Sequence, residues 1–183
     1  ATLAPGTVSL SNVVSGDQVQ TGSVTVNTTG NLSSGGKLKA GSYAGIQSVG
    51  STLTGDDAGN YTFGGLTGNY SVSQLTLAGT AIASSSSTYG SAVSPGAVSF
   101  TNVVSGDEVT ASASLVGTSL STGGQIRAGS YQQRVSAIGG TDAGNYSLSS
   151  YTTPTATYTV NQLALTGTAI ASSSSTYGSA VSP

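Results

Sequence analysis

The seventeen residues GTAIASSSSTYGSAVSP stand at Gly79–Pro95 and again, unchanged, at Gly167–Pro183. An identical pair of this length is either a segment duplicated within one domain or a stretch of a tandem array. The rest of the chain favours the array. PGTVSLSNVVSGDQV (Pro5–Val19) is matched by PGAVSFTNVVSGDEV (Pro95–Val109), and GGKLKAGSY (Gly35–Tyr43) by GGQIRAGSY (Gly123–Tyr131). DAGNY recurs at Asp57–Tyr61 and Asp142–Tyr146, and YSVSQLTLAGTAI (Tyr70–Ile82) is matched by YTVNQLALTGTAI (Tyr158–Ile170). These four blocks are offset by 90, 88, 85 and 88 residues, so the length changes fall between blocks, as loop differences would. A net period of 88 is domain-sized, far above the roughly 20–50 residues of a solenoid repeat.

Within a copy the strand signals are short and alternate. From Val109 to Leu115 the odd positions are apolar and the even ones polar, which gives one buried face and one wet face. Val24 with Val26, Val8 with Leu10, and Val98 with Phe100 follow the same rule. SGD, SSGG, STGG, GDDAGN and GTDAGN separate these runs with turn chemistry, and no segment keeps a helical period. The expectation is all-β: two tandem, small antiparallel β-sandwich repeats of Ig-like type.

Composition agrees. Only 5% of the 183 residues are charged and the net charge is −2, while Val and Thr are plentiful and nine Tyr are spread along the chain. Disordered chains usually combine high net charge with few β-branched or aromatic residues, so a folded protein is expected. No run of eighteen apolar residues predicts a transmembrane helix, and the first residues do not read as a signal peptide, so no membrane insertion is expected. The basic residues Lys37, Lys39, Arg127 and Arg134 make no patch able to neutralise several phosphates, which argues against a nucleic-acid partner. Cys, Met, Trp and His are absent, which excludes disulfides and thiolate metal sites and favours an extracellular setting.

A phase switch bears on where one repeat ends. Tyr70 and Val72 place apolar side chains on even positions, Leu75 and Leu77 on odd ones; Tyr158 and Val160 against Leu163 and Leu165 do the same. A one-residue shift sends every side chain to the other face. It marks either a β-bulge within one strand or a last strand handing over to the first strand of the next unit. The hand-over divides the chain into 1–74, a repeat lacking its opening strand, 75–162, a complete repeat, and 163–183, the opening strand of a following one. The other cut gives 1–95 and 96–183.

An apolar strand leading into STYG (Ser87–Gly90, Ser175–Gly178), then VVSGDEV (Val103–Val109), then DAGNYS (Asp142–Ser147) before a closing YTV strand resembles the MBG/YDG-type repeats. These Gly- and Ser-rich β-domains recur in the stalks of large secreted bacterial adhesins, often similar to filamentous haemagglutinins. The tyrosine motif here is Thr-Tyr-Gly rather than Tyr-Asp-Gly. The resemblance implies a spacer at the bacterial cell surface that serves cell adhesion or biofilm formation. Its partners would be neighbouring repeats of the same chain and, through the parent protein, extracellular polysaccharide or a host surface. It brings no catalytic residues.

The residues themselves give little chemistry. A serine nucleophile needs a base; there is no His, both lysines lie in the first copy, and Arg127 stands where Lys39 would be. None of the acidic residues, Asp17, Asp56, Asp57, Asp107, Glu108 and Asp142, is expected to form a pair present in both copies, so no enzyme is expected. Asp57 with Asn60, and Asp142 with Asn145, offer oxygen ligands for calcium, but such a site wants six to eight oxygens and several carboxylates. The competing reading is an Asx-type turn, with Asp accepting backbone N–H bonds and Gly in the left-handed region. No other cofactor is expected. Tyr61, Tyr146, Tyr70 and Tyr158 stack on sugar rings or, as strand tyrosines usually do, bury the ring and point the hydroxyl outward. A Lys–Asn or Lys–Asp cross-link is open only to the first copy, through Lys37 or Lys39. Asn27, Asn31, Asn60, Asn69 and Asn145 fit Asn-x-Ser/Thr, a pattern that chance supplies in so Ser/Thr-rich a chain. Besides a spacer, a carbohydrate-binding module and an ice- or surface-binding protein remain open; VTVNTT has no Thr-rich counterpart in the second copy, which weakens the last.

Overall fold

The computed structural model describes residues 2–180; Ala1 and the end of the repeated stretch, Val181–Pro183, lie outside the described residues. The fold is all-β, with a 3₁₀ turn of three residues in each copy, Ala58–Asn60 and Ala143–Asn145. Each copy builds the same central ladder. In the first, Thr25–Val26, Gly41–Val49 and Leu66–Val72 lie side by side, antiparallel. In the second, Ser114–Val116, Gly129–Val135 and Tyr158–Asn161 repeat this order, with Tyr151–Thr152 also on Gly129–Val135. A second small pairing recurs too: Gln20–Thr21 with Leu53–Thr54, and Thr110–Ala111 with Ile138–Gly139.

The alternating run Val109–Leu115 is half-buried at every odd position and exposed at every even one, as its pattern requires. It is nevertheless two strands, because Thr110–Ala111 and Ser114–Val116 pair with different partners. In the first copy the extra residues Ala44 and Gly45 are taken up as an irregularity between Tyr43 and Gln47, where Gly45 supplies a φ of 67°. The phase switch lies elsewhere: Leu66–Val72 pairs with Gly41–Val49, whereas Leu75–Thr76 pairs with Tyr146–Ser147 of the second copy.

Not every pairing is antiparallel. The segment Leu75–Thr88 makes two parallel ladders, Leu75–Thr76 with Tyr146–Ser147 and Ser85–Thr88 with Tyr158–Asn161. Parallel neighbours need a long crossover. Here the body of the second copy is the connection, so the chain enters this sheet at its edge and closes it about seventy residues later. Between those ladders Ala81–Ile82 pairs antiparallel with Val98–Ser99.

This segment also closes the core. Tyr131, Tyr158 and Val160 form a buried cluster, with Tyr89, Leu115 and Ile126 packed against it; Leu77 and Ile82 are buried as well. Gln133, fully buried, ties the segment down: its Oε1 accepts the Gly96 N–H at 2.6 Å and its Nε2 donates to the Ala83 carbonyl at 2.9 Å. In the first copy Leu66–Val72 has a neighbour on one side only, and Tyr43, Tyr70 and Val72 are half-buried where Tyr131, Tyr158 and Val160 are buried. Among the described residues nothing pairs with that second edge.

Candidate functional site

The motifs SGD and DAGNY, far apart in sequence, meet in space. The 3₁₀ turn after Asp142 aims Tyr146 inward, and its hydroxyl donates to Asp107 Oδ2 at 2.6 Å while accepting the Val104 N–H at 2.9 Å. Asp142 Oδ2 accepts the Glu108 N–H at 2.9 Å. The first copy repeats the arrangement atom for atom. Tyr61 donates to Asp17 Oδ2 at 2.6 Å and accepts from Val14, and Asp57 Oδ2 accepts the Gln18 N–H at 2.9 Å. Each aspartate thus ties the SGD turn and the DAGNY turn together with one oxygen.

In the second copy the other oxygens are also engaged, by the first copy. Ser34 N–H donates to Asp142 Oδ1 at 3.2 Å, Gly35 N–H to Asp107 Oδ1 at 2.8 Å, and Ala40 N–H to Asn145 Oδ1 at 2.9 Å. Gln74 Nε2 adds a bond to the Gly144 carbonyl at 2.9 Å. The loop Ser33–Ala40 therefore seats on a row of three side-chain oxygens of the following copy. Glycine is required at the contact: a Cβ on Gly35 would stand 2.6 Å from both Asp107 Oδ1 and the Ser105 carbonyl. Gly106, at φ 89°, faces Gly35 from the other side.

The electrostatics follow from these donors. Burial pushes the Asp107 carboxyl up, but the Tyr146 hydroxyl, Ser33 and the Gly35 N–H outweigh it and hold the group below the usual carboxylate range. Asp142 is 1% exposed; the Glu108 N–H, then Ser34 and the charge of Lys39, hold it low against the cost of burial. Tyr146 is pushed above the ordinary phenol value by burial and by its bond to Asp107. Tyr61 is raised chiefly by its bond to Asp17. Backbone N–H bonds to a carboxylate are charge-assisted and among the stronger hydrogen bonds in proteins.

Three expectations change. The Asp turns are not Asx turns: neither Asp57 nor Asp142 caps its own turn through its side chain, and the left-handed glycines are Gly55 and Gly140, ahead of the aspartates. The hydroxyls of Tyr61 and Tyr146 point to aspartates rather than to solvent, although Tyr146 does bury its ring. Acidic pairs do recur in space, Asp17 beside Asp57 and Asp107 beside Asp142, joined through the same turn. Of the residues offered for calcium, Asp142 and Asn145 accept from the N–H groups of Ser34, Glu108 and Ala40, and Asp57 accepts from that of Gln18. Among the described residues no group of three or more His, Cys, Asp or Glu is disposed to hold a metal ion. Tyr158 is fully buried, its hydroxyl accepting the Ser94 N–H, and Tyr70 accepts from Ala4 in the same way.

Sequence reasoning missed Asp17 and Asp107 as members of this site. The available signal was that SGD and DAGNY are both present in both copies. No helix among the described residues is long and apolar enough to cross a membrane. No protein family, curated protein or solved structure matches the chain.

Proposed function

We propose that the chain is a stretch of structural stalk from a secreted or surface-anchored bacterial adhesin, in tandem β-sandwich repeats that hold a binding region away from the cell. On this reading the repeats are bounded at Gln74 and Gln162, and the work is mechanical. One observation carries it: the joint in which three backbone N–H groups of one copy seat on Asp107, Asp142 and Asn145 of the next, while the chain crosses into its new sheet within Ser73–Gln74. A junction hydrogen-bonded on one side and strand-paired on the other resists bending, which a spacer needs and a flexible string of binding modules does not. The surface supports the same role, since a chain with 5% charged residues offers little electrostatic grip to partners. A nine-residue strand such as Gly41–Val49 spans about 30 Å at ~3.3 Å per residue. Dozens of copies stacked end to end would reach on the order of a hundred nanometres.

Small-angle scattering from chains carrying increasing numbers of repeats tests this reading. A stalk requires the maximum dimension to grow in proportion to repeat number, whereas growth as its square root would mean beads on a flexible string. A glycan panel probed with the same chains should stay blank. Reproducible binding to one glycan class would replace the spacer with a carbohydrate-binding module.

A further inference from the structure

The two identical seventeen-residue stretches have opposite fates. In the first of them Ile82 is 7% exposed, as Leu77 just ahead of it is 6% exposed, and Tyr89 packs on the core with its hydroxyl on Ser121 Oγ at 2.8 Å. Their counterparts in the tail, Leu165, Ile170 and Tyr177, are 92%, 99% and 105% exposed. In the first copy the outer edge of Leu66–Val72 is unpaired among the described residues and the core is half-open. Its Asp17, Asp57 and Asn60 sit where Asp107, Asp142 and Asn145 receive a loop. Thr122, Gly123 and Ala128, counterparts of the donors Ser34, Gly35 and Ala40, are exposed on the second copy. Their loop has the same internal bonds: Ser121 to Gln125 and Arg127 to Ser119 repeat Ser33 to Lys37 and Lys39 to Asn31.

We propose that, for this 183-residue chain, a second copy is the partner for both surfaces. The tail Leu163–Gly178 of one molecule adds as the opening segment of the first repeat of the next, while loop Thr122–Ala128 seats on Asp17, Asp57 and Asn60. The occupied site within the chain dictates the register. Ser173–Thr176 lies parallel to Tyr70–Ser73, as Ser85–Thr88 lies on Tyr158–Asn161, and Ile170 pairs with Val8, as Ile82 pairs with Val98. Strand addition satisfies an open edge and pockets for alternate side chains fix its phase. The two surfaces differ, so the contact is heterologous and propagates head to tail. The inference rests on the repeat boundary that the spacer reading uses, since successive repeats of a longer array would make the same contact within one chain. The association does not depend on a mechanical role.

Gly6 provides a selective block. A Cβ on its counterpart Gly96 collides with the Ala83 carbonyl, whereas on Gly6 it meets only the Gln47 side chain, at 3.5 Å. Gly6→Ala should therefore leave the monomer folded and exclude the incoming Ala171 carbonyl. Ile170→Asp, at an exposed site, should disable the tail and leave the edge intact. The chain is refolded from denaturant and followed by sedimentation up to roughly 1 mM, so that a Kd as weak as about 1 mM is detected. The parent should form concentration-dependent chains, each variant alone should stay monomeric, and an equimolar mixture of the two should stop at a dimer through its one intact link. A monomeric parent, variants that associate like the parent, or a mixture that stays monomeric would each overturn the proposal.

Discussion

Ile82 and Ile170 occupy the same place in identical seventeen-residue stretches, so replacing each by alanine isolates burial from sequence. Burying an isoleucine side chain stabilises by about 1.5–3 kcal/mol, and the cavity left on truncation adds to the loss. Ile82 is 7% exposed and lies in a strand of two residues held on one side by Val98–Ser99, where neighbours can relax. A cost of about 2–3 kcal/mol for Ile82→Ala is therefore expected, in the lower part of the core range. In a repeat of 88 residues this lowers the melting temperature by about 10–20 °C. Ile170→Ala, at 99% exposure, should change stability by less than about 0.5 kcal/mol in dilute monomer. Urea unfolding at micromolar chain, read by tyrosine fluorescence, measures both. Equal losses for the two variants would refute the assignment of Gly79–Pro95 to the second core.

Gly35→Ala should uncouple the two copies, giving two separate unfolding transitions in calorimetry, because its Cβ lands on Asp107 and Ser105. Gly123→Ala, whose Cβ meets only Ser121 Oγ at 4.0 Å, should leave the monomer unchanged. Gln133→Leu strands the Gly96 N–H and the Ala83 carbonyl and should cost about 2–4 kcal/mol, against a small change for an exposed Gln→Leu control. Stability should also depend on pH at both extremes. Asp107 and Asp142 have folded values below the unfolded ~3.9, so their contribution is present above that pH and lost as pH falls through the folded values. Tyr146 is raised, so its contribution is present below the unfolded value of ~10 and lost as pH rises through the folded one. Asp142→Asn should flatten the acid limb; an unchanged limb would remove the joint from the explanation.

The all-β class was legible because alternation at Val109–Leu115, Val24 with Val26, and Val98 with Phe100 reports directly which face is buried. The parallel ladders were not, since no local pattern tells Leu75 or Ser85 that its partner lies about seventy residues ahead. Ser85–Thr88 is a run of Ser and Thr without alternation, and its strand state comes from the edge it closes rather than from its own residues. DAGNY could be read as a turn, but its aspartate works outward. The donors it meets, Gln18, Glu108 and Ser34, are backbone groups that carry no side-chain signature. The same holds for the joint: Ser34, Gly35 and Ala40 act through N–H groups, and only the glycine leaves a mark in the sequence.

Hydrogen exchange at the paired stretches tests the central claim most directly, because identical sequences share intrinsic exchange rates. In the second copy the amides of Ala83, Ser85 and Tyr89 bond to Ala97, Thr157 and Asn161 at 2.9, 3.1 and 2.8 Å. In dilute chain, nuclear magnetic resonance should find those three protected to the level of the second core, while Ala171, Ser173 and Tyr177 exchange at the rate of an unstructured peptide. Equal protection of the two sets, whether high or low, would contradict the claim that the segment after one repeat is the opening strand of the next.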